Sequence, residues 1–177
     1  MDIDQVLARL ARLEAREEVL GVFNSYLYLM DVGYPDELIE LFEEDAVLYL
    51  VNFPPGSGEN PVLEGRARIN RLYQDHTTHD PQVHGGHHAC NVGVDVDSDA
   101  MAATLSAYFL TTGPGRPGAQ GGQYRLHMRR GTQGWRIHEM QIVSGWGWRP
   151  DAPGRTTDPV GAGMVWDAAR PTTWEHL

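Results

Sequence analysis

Cysteine is almost absent: the 177 residues contain one, Cys90. No intrachain disulfide can form, and Cys90 sits in an apolar strand pattern where a buried, inert thiol is expected. Cationic side chains are also few, 14 Lys and Arg against 24 Asp and Glu, for a formal net charge of -10. That deficit argues against nucleic acid, whose affinity rests on cations neutralising phosphates, and against an anionic membrane surface. No apolar run approaches the length that spans a bilayer, and the N-terminus carries no signal-peptide pattern. A soluble cytoplasmic protein is expected. A phosphate-binding loop and a dinucleotide fingerprint are both missing, and the glycines of residues 113–122 have no strand–turn–helix context. No cofactor is therefore expected. The length suits one domain with a full core.

What is present centres on His84 to Asp97, H-G-G-H-H-A-C-N-V-G-V-D-V-D. Two adjacent histidines stand where a Gly-Gly turn enters a Val-rich strand. Side chains of a strand alternate between its faces. The pattern puts Cys90, Val92, Val94 and Val96 on one face with His88. It puts Ala89, Asn91, Gly93 and Asp95 on the other with His87. A histidine at the mouth of a strand, above small residues, is suited to act as a general base.

Ahead of this stretch, residues 2–31 read as a helix. Leu13, Leu20, Leu27 and Asp31 share a stripe, with Phe23 and Asn24 beside it. Asp31 is the anomaly, because a carboxylate on an apolar stripe must be paired, or must cap the helix end before Gly33 and Pro35. Residues 35–44 predict a short helix opened by Pro-Asp-Glu, 46–51 a strand, 52–61 a loop and 65–75 a third helix with Ile69, Leu72 and Tyr73 inward. Residues 76–86 read as a polar loop with His76, His79 and His84. Strands are expected over 92–96, 101–112, 123–130 and 135–146, with a long loop at 113–122 and a tight hairpin at Gly131 to Gly134. Residues 149–177 read as a Pro/Gly-rich tail packing on the barrel or on a neighbouring subunit, outside a domain of residues 1–148.

Helices followed by an antiparallel run of strands predict an α+β fold. In it a curved, mostly antiparallel sheet wraps around the N-terminal helices as a cone-shaped barrel with an interior pocket.

Several segments resemble SnoaL-like proteins of the nuclear-transport-factor-2-like superfamily. They are L-E-A-R-E-E-V-L-G-V-F-N-S-Y-L-Y-L-M-D (13–31), D-E-L-I-E-L-F-E-E-D-A-V (36–47), G-R-A-R-I (65–69), H-H-A-C-N-V (87–92) and G-W-R-I (134–137). Within that superfamily the sequence is similar to the branch holding scytalone dehydratase, bile-acid 7α-dehydratase and hexachlorocyclohexane dehydrochlorinase. Its members share an Asp ending the first long helix and a His opening the strand after the third helix. The resemblance implies those roles for Asp31 and His87, His87 being preferred to His88 for its spacing to Asn91. It implies a catalytic tyrosine at Tyr26, with Tyr28 closer to Asp31 in helical projection. It also implies a homo-oligomer, a dimer or trimer. Two departures stand out. The second histidine of scytalone dehydratase is replaced by Phe109-Leu110-Thr111-Thr112, and its next polar pair by residues near Gln123, Tyr124 and Arg125.

The residues support the same chemistry independently. An imidazole near its ordinary pKa of ~6.5 accepts a proton at neutral pH, and a carboxylate on one ring nitrogen fixes the tautomer that presents the other. A tyrosine hydroxyl (Tyr26, Tyr49 or Tyr108) could hold a developing enolate or a departing hydroxyl. Tyr49, Tyr108, Tyr124, Trp146, His88 and Asn91 are the candidate substrate contacts. The expected activity is a lyase, a dehydratase acting on a small hydrophobic cyclic carbonyl compound of polyketide or steroid type. The alternatives are a polyketide cyclase or isomerase, or a non-catalytic ligand-binding or accessory subunit. The histidines from His76 to His88 lack the cysteines or the H-E-x-x-H helix of a strong zinc signature, so no metal is expected. His138 and Glu139, adjacent on a strand, are expected to face opposite ways.

Overall fold

The computed structural model describes residues 2–53, 58–76, 86–112 and 119–148, with only the backbone of 76 and 146–148. Helix α1 (Ile3–Val32) is followed by α2 (Pro35–Ile39), β1 (Phe42–Val51), β2 (Val62–Glu64), α3 (Arg66–His76), β3 (His87–Val96), β4 (Ala102–Thr112), β5 (Ala119–Gly131) and β6 (Gly134–Trp148). The strands form one six-stranded sheet in the order β2-β1-β6-β5-β4-β3. Every pairing is antiparallel except β1 with β6. The fold is α+β, with helices on one face of a mixed, mostly antiparallel sheet.

Helix α1 buries Ala15, Val19, Phe23, Tyr26, Leu27 and Met30, a stripe stepping by three and four residues. The stripe begins later than the sequence predicts. Leu13 is 53% exposed, and Asn24 is exposed. Glu18 reaches Arg130 and the Trp135 indole at the β5–β6 turn, and Arg16 bonds the Val94 carbonyl of β3. Ahead of Ala15, Ile3, Val6, Leu7, Leu10 and Leu13 are exposed among the described residues. The helix ends on Gly33, whose left-handed φ of 77° suits a residue without Cβ.

Helix α2 is shorter than its apolar spacing predicts, and β1 starts at Phe42. Parallel pairing with β6 takes over there: Ile137 N–H donates to Leu41 O, and Phe42 lies opposite Ile137. The backbone gains partners from the sheet that a short helix would leave to water. Strand β2, between the expected loop and the expected third helix, pairs Leu63 with Leu48. Part of the predicted Gly-rich loop also belongs to the sheet, as residues 119–122 of β5 pair with 109–112 of β4. The rest of that loop, the segment carrying His79 and His84, and the tail 149–177 lie outside the described residues, as do the side chains of His76, Trp146 and Trp148.

The alternation predicted for β3 fails at a bulge. Its register with β4 shifts between Cys90 and Gly93, and Asn91 has φ 52°. One extra residue inverts the faces. His87 and Ala89 thus join Val92, Val94 and Val96 on the half-buried inner side, while His88, Cys90 and Asn91 are exposed. The expectation of a buried thiol is corrected accordingly: Cys90 is exposed.

The core lies between α1, α3 and the inner face. Phe23, Tyr26, Phe42, Tyr73 and Tyr124 stack edge-on or tilted, with ring centroids 5.7–6.2 Å apart along the chain Phe23–Tyr124–Tyr26–Phe42–Tyr73. No helix among the described residues is long and apolar enough to cross a membrane.

Candidate active site

Asp31 lies in the last turn of α1, and its carboxylate crosses to the start of β3 instead of capping the helix. The His87 backbone N–H donates to both carboxylate oxygens, at 3.1 and 2.9 Å. The His87 ring closes the pair, with Nδ1 2.6 Å from Asp31 Oδ1. Gly86 permits this approach. Its φ is +91°, and a Cβ there would stand 3.1 Å from Asp31 Oδ2. Glycine at position 86 therefore has a steric reason.

Burial opposes charge on Asp31, but the hydrogen bonds from the His87 ring and backbone, with the attraction of His87 and His88, outweigh it and hold the carboxyl below its usual range. An ionised Asp31 accepts Nδ1–H, which leaves Nε2 as the free basic nitrogen. The two side chains are 22% and 28% exposed, enough for the imidazole to be reached and enough cover to strengthen its bond to the carboxylate. Across the sheet, Thr111 lies opposite His87 and Phe109 opposite Ala89.

The tyrosines divide by face. Tyr26 is fully buried, and its hydroxyl is 3.1 Å from that of Tyr73. Tyr28, nearer Asp31 in projection, points outward and is 64% exposed. Tyr124 is buried against Phe109 with ring centroids 4.7 Å apart. Burial, with the nearby negative charge of Asp31, raises the Tyr26 and Tyr124 hydroxyls well above their ordinary value, and burial raises Tyr73. All three stay neutral donors at any physiological pH. Tyr108 is 48% exposed opposite Cys90 on the outer face. Tyr49 alternates with the buried Leu48 and Leu50 and lies opposite Gln141. The structure thus brings together Asp31 and His87, with Tyr26 and Tyr124 in the core behind them. Tyr49, Tyr108, His88 and Asn91 are not brought to that side. A shallow outer groove of about 450 Å³ beside Asp95, Thr104, Ser106 and Arg125 does not include the pair.

Three features escaped the sequence reading. Tyr73 was legible as inward-facing, but nothing in the spacing linked it to Tyr26, 47 residues away. Gly86 was legible as a turn, but its contact with Asp31 was not. His138 does form a carboxylate pair: Nδ1 lies 2.7 Å from Glu43 Oε2.

No curated protein matches the sequence. Solved structures of the same fold include a nuclear-transport-factor-2-like protein with a cystatin-like fold from Novosphingobium aromaticivorans, 25% identical over 90% of this chain and 97% of that one, TM-score 0.67. A protein of the same organism provisionally named a scytalone dehydratase is 22% identical over 85% and 96%, TM-score 0.63. The dehydrochlorinase LinA is 16% identical over 86% and 99%, TM-score 0.66. The model of the SnoaL-like domain matches residues 11–141, well over half of the sequence. With the long helix, the mixed sheet and the match agreeing, the chain belongs to the SnoaL-like domain family.

Proposed function

We propose that the protein is a cofactor-independent lyase of dehydratase type, with His87 as the base and Asp31 as the residue that orients it. The observation that carries this reading is the 2.6 Å contact between His87 Nδ1 and Asp31 Oδ1. It leaves Nε2 free to take a proton from a carbon next to a carbonyl. The electron pair of that C–H bond forms the new double bond as the β-hydroxyl departs. The proton held on Nε2 goes to the leaving oxygen, so the substrate loses water and the imidazole is regenerated. No electrons are gained or lost overall, so neither metal nor nucleotide is needed for the balance. Asp31 stabilises the imidazolium between the two steps.

The half-buried Ala89 and the buried Phe109 on the same face, with Leu27 and Met30 from the preceding turn of α1, support an apolar cyclic substrate. Two proteins of this fold carry names of eliminations, a scytalone dehydratase and a hexachlorocyclohexane dehydrochlorinase. Isomerisation or ring closure would begin with the same proton abstraction, and the product distinguishes them.

The test is a panel of cyclic β-hydroxy ketones incubated with the protein and with His87→Ala. Products are read by mass and by the absorbance of the conjugated enone. Loss of one water by the intact protein alone supports the proposal. Equal rates with both proteins on every substrate would overturn it.

A further inference from the structure

The second histidine–carboxylate pair lies far from the first. His87 and the β4–β5 residues opposite it occupy one end of the sheet, whereas His138 lies near Met128, about eight residues or ~25 Å along β5. Two irregularities meet at His138. On the β5 side His127 is opposite Glu139 and Met128 is opposite Ile137, so His138 is the extra residue of a bulge. On the β1 side Phe42 pairs with Ile137 and Val47 with Glu139, so residues 43–46 face His138 alone. The bulge removes the alternation that would have sent His138 and Glu139 to opposite faces.

Glu43, Asp45 and His138 each bring a ligand atom within 4.8 Å of the other two. His127 stands beside His138 on the neighbouring strand. Its ring stands at 73° to that of His138 with centroids 5.9 Å apart, and its Nδ1 is shielded from solvent without a hydrogen-bond partner. A simple His138–Glu43 hydrogen bond accounts for neither the third ligand, Asp45, nor the unpartnered Nδ1 of His127. Around one ion with bonds of ~2.1 Å, tetrahedral ligands stand ~3.4 Å apart, which modest side-chain adjustment reaches from the observed spacing.

We infer that Glu43, Asp45 and His138, beside the His127 ring, form a binding site for a divalent transition-metal ion. Mixed imidazole and carboxylate donors suit zinc, cobalt or nickel and not magnesium or calcium. The ion takes the place of the proton shared by His138 Nδ1 and Glu43 Oε2. Arg129, 4.0 Å from Glu43 and half exposed, is free to swing to solvent as the ion arrives. The site ties the start of β1 to β6 and β5 and needs no part of the His87–Asp31 pair.

Zinc titration by calorimetry, with the cobalt absorption spectrum as a second readout, tests this in the full chain. The intact protein is expected to take up one ion per chain with a tetrahedral cobalt spectrum. Asp45→Asn, an exposed change that leaves the His138–Glu43 bond intact, should weaken binding at least tenfold, since even outer partners of a ligand are worth ~10–100-fold. His138→Gln should abolish it. A variant with His76, His79 and His84 all changed to Asn should bind as the intact protein does. Saturable binding that survives both Asp45→Asn and His138→Gln, binding lost in the triple variant, or no saturable binding would each overturn the inference.

Discussion

Replacing Asp31 by Asn changes one atom and removes the charge, so it isolates what the carboxylate does for His87. Asp31 offers two acceptor oxygens to the His87 backbone N–H and one of them to Nδ1. Asn has one acceptor oxygen and an NH₂ group. If the oxygen keeps the backbone N–H, the NH₂ faces Nδ1 and donates to it. The imidazole proton then moves to Nε2, and the nitrogen that should accept the substrate proton is already occupied. Loss of a correctly poised general base costs ~10²–10⁴ in rate, or about 3–5 kcal/mol of transition-state stabilisation. The fold should lose far less. Hydrogen bonds to a charged group are worth ~1.5–3 kcal/mol against ~0.5–1.5 for neutral ones, so the stability penalty is about 1–2 kcal/mol. Two assays check this: turnover on the substrate found in the panel, and the ¹⁵N shifts of the His87 ring, which report the tautomer without a substrate. Activity within a few-fold of the intact protein, or a ring that keeps its proton on Nδ1, would refute the reasoning.

The lowered pKa of Asp31 makes a prediction about acid. Its stabilising contribution is complete above the ordinary aspartate value of 3.8 and is lost as pH falls through the lower folded value. The urea midpoints of the intact protein and Asp31→Asn should therefore differ at neutral pH and converge in strong acid; a constant gap would contradict the assignment. Tyr26→Phe removes the hydroxyl that lies 3.1 Å from that of the buried Tyr73, and should cost ~0.5–1.5 kcal/mol. Tyr73→Phe should then cost less in the Tyr26→Phe background than in the intact protein, and a double-mutant cycle by urea unfolding that shows simple additivity would count against the pair. Gly122→Ala would set a Cβ 1.9 Å from Val143 O and 2.7 Å from the Phe109 ring. Because the first of these is backbone, β5 and β6 would have to part, and a loss of at least ~3 kcal/mol in thermal or urea unfolding is expected. An unchanged melting temperature would show that the strands yield more easily than their geometry implies.

Sequence alone determined the elements whose signals are local. Periodicity placed α1, Gly65 and the spacing of Ile69 and Tyr73 placed α3, and the Gly131–Gly134 turn placed the β5–β6 hairpin. The same reasoning flagged Asp31, because a carboxylate on an apolar stripe demands a partner, and His87, because it follows two glycines at a strand mouth. Tertiary structure decided everything that depends on register and on which backbone finds which. The early start of β1 came from parallel pairing with β6, a contact between residues nearly a hundred positions apart. The outward turn of Cys90 came from the bulge at Asn91, since one extra residue inverts every side chain beyond it. A second bulge, opposite His127, set His138 beside Glu43, where alternation alone would have kept the histidine and its neighbours apart. Hydrophobic pattern specifies a face only while the period of two is unbroken. Where the sheet bends, the side chains that meet are chosen by hydrogen-bond register across strands, which no local stretch of sequence encodes.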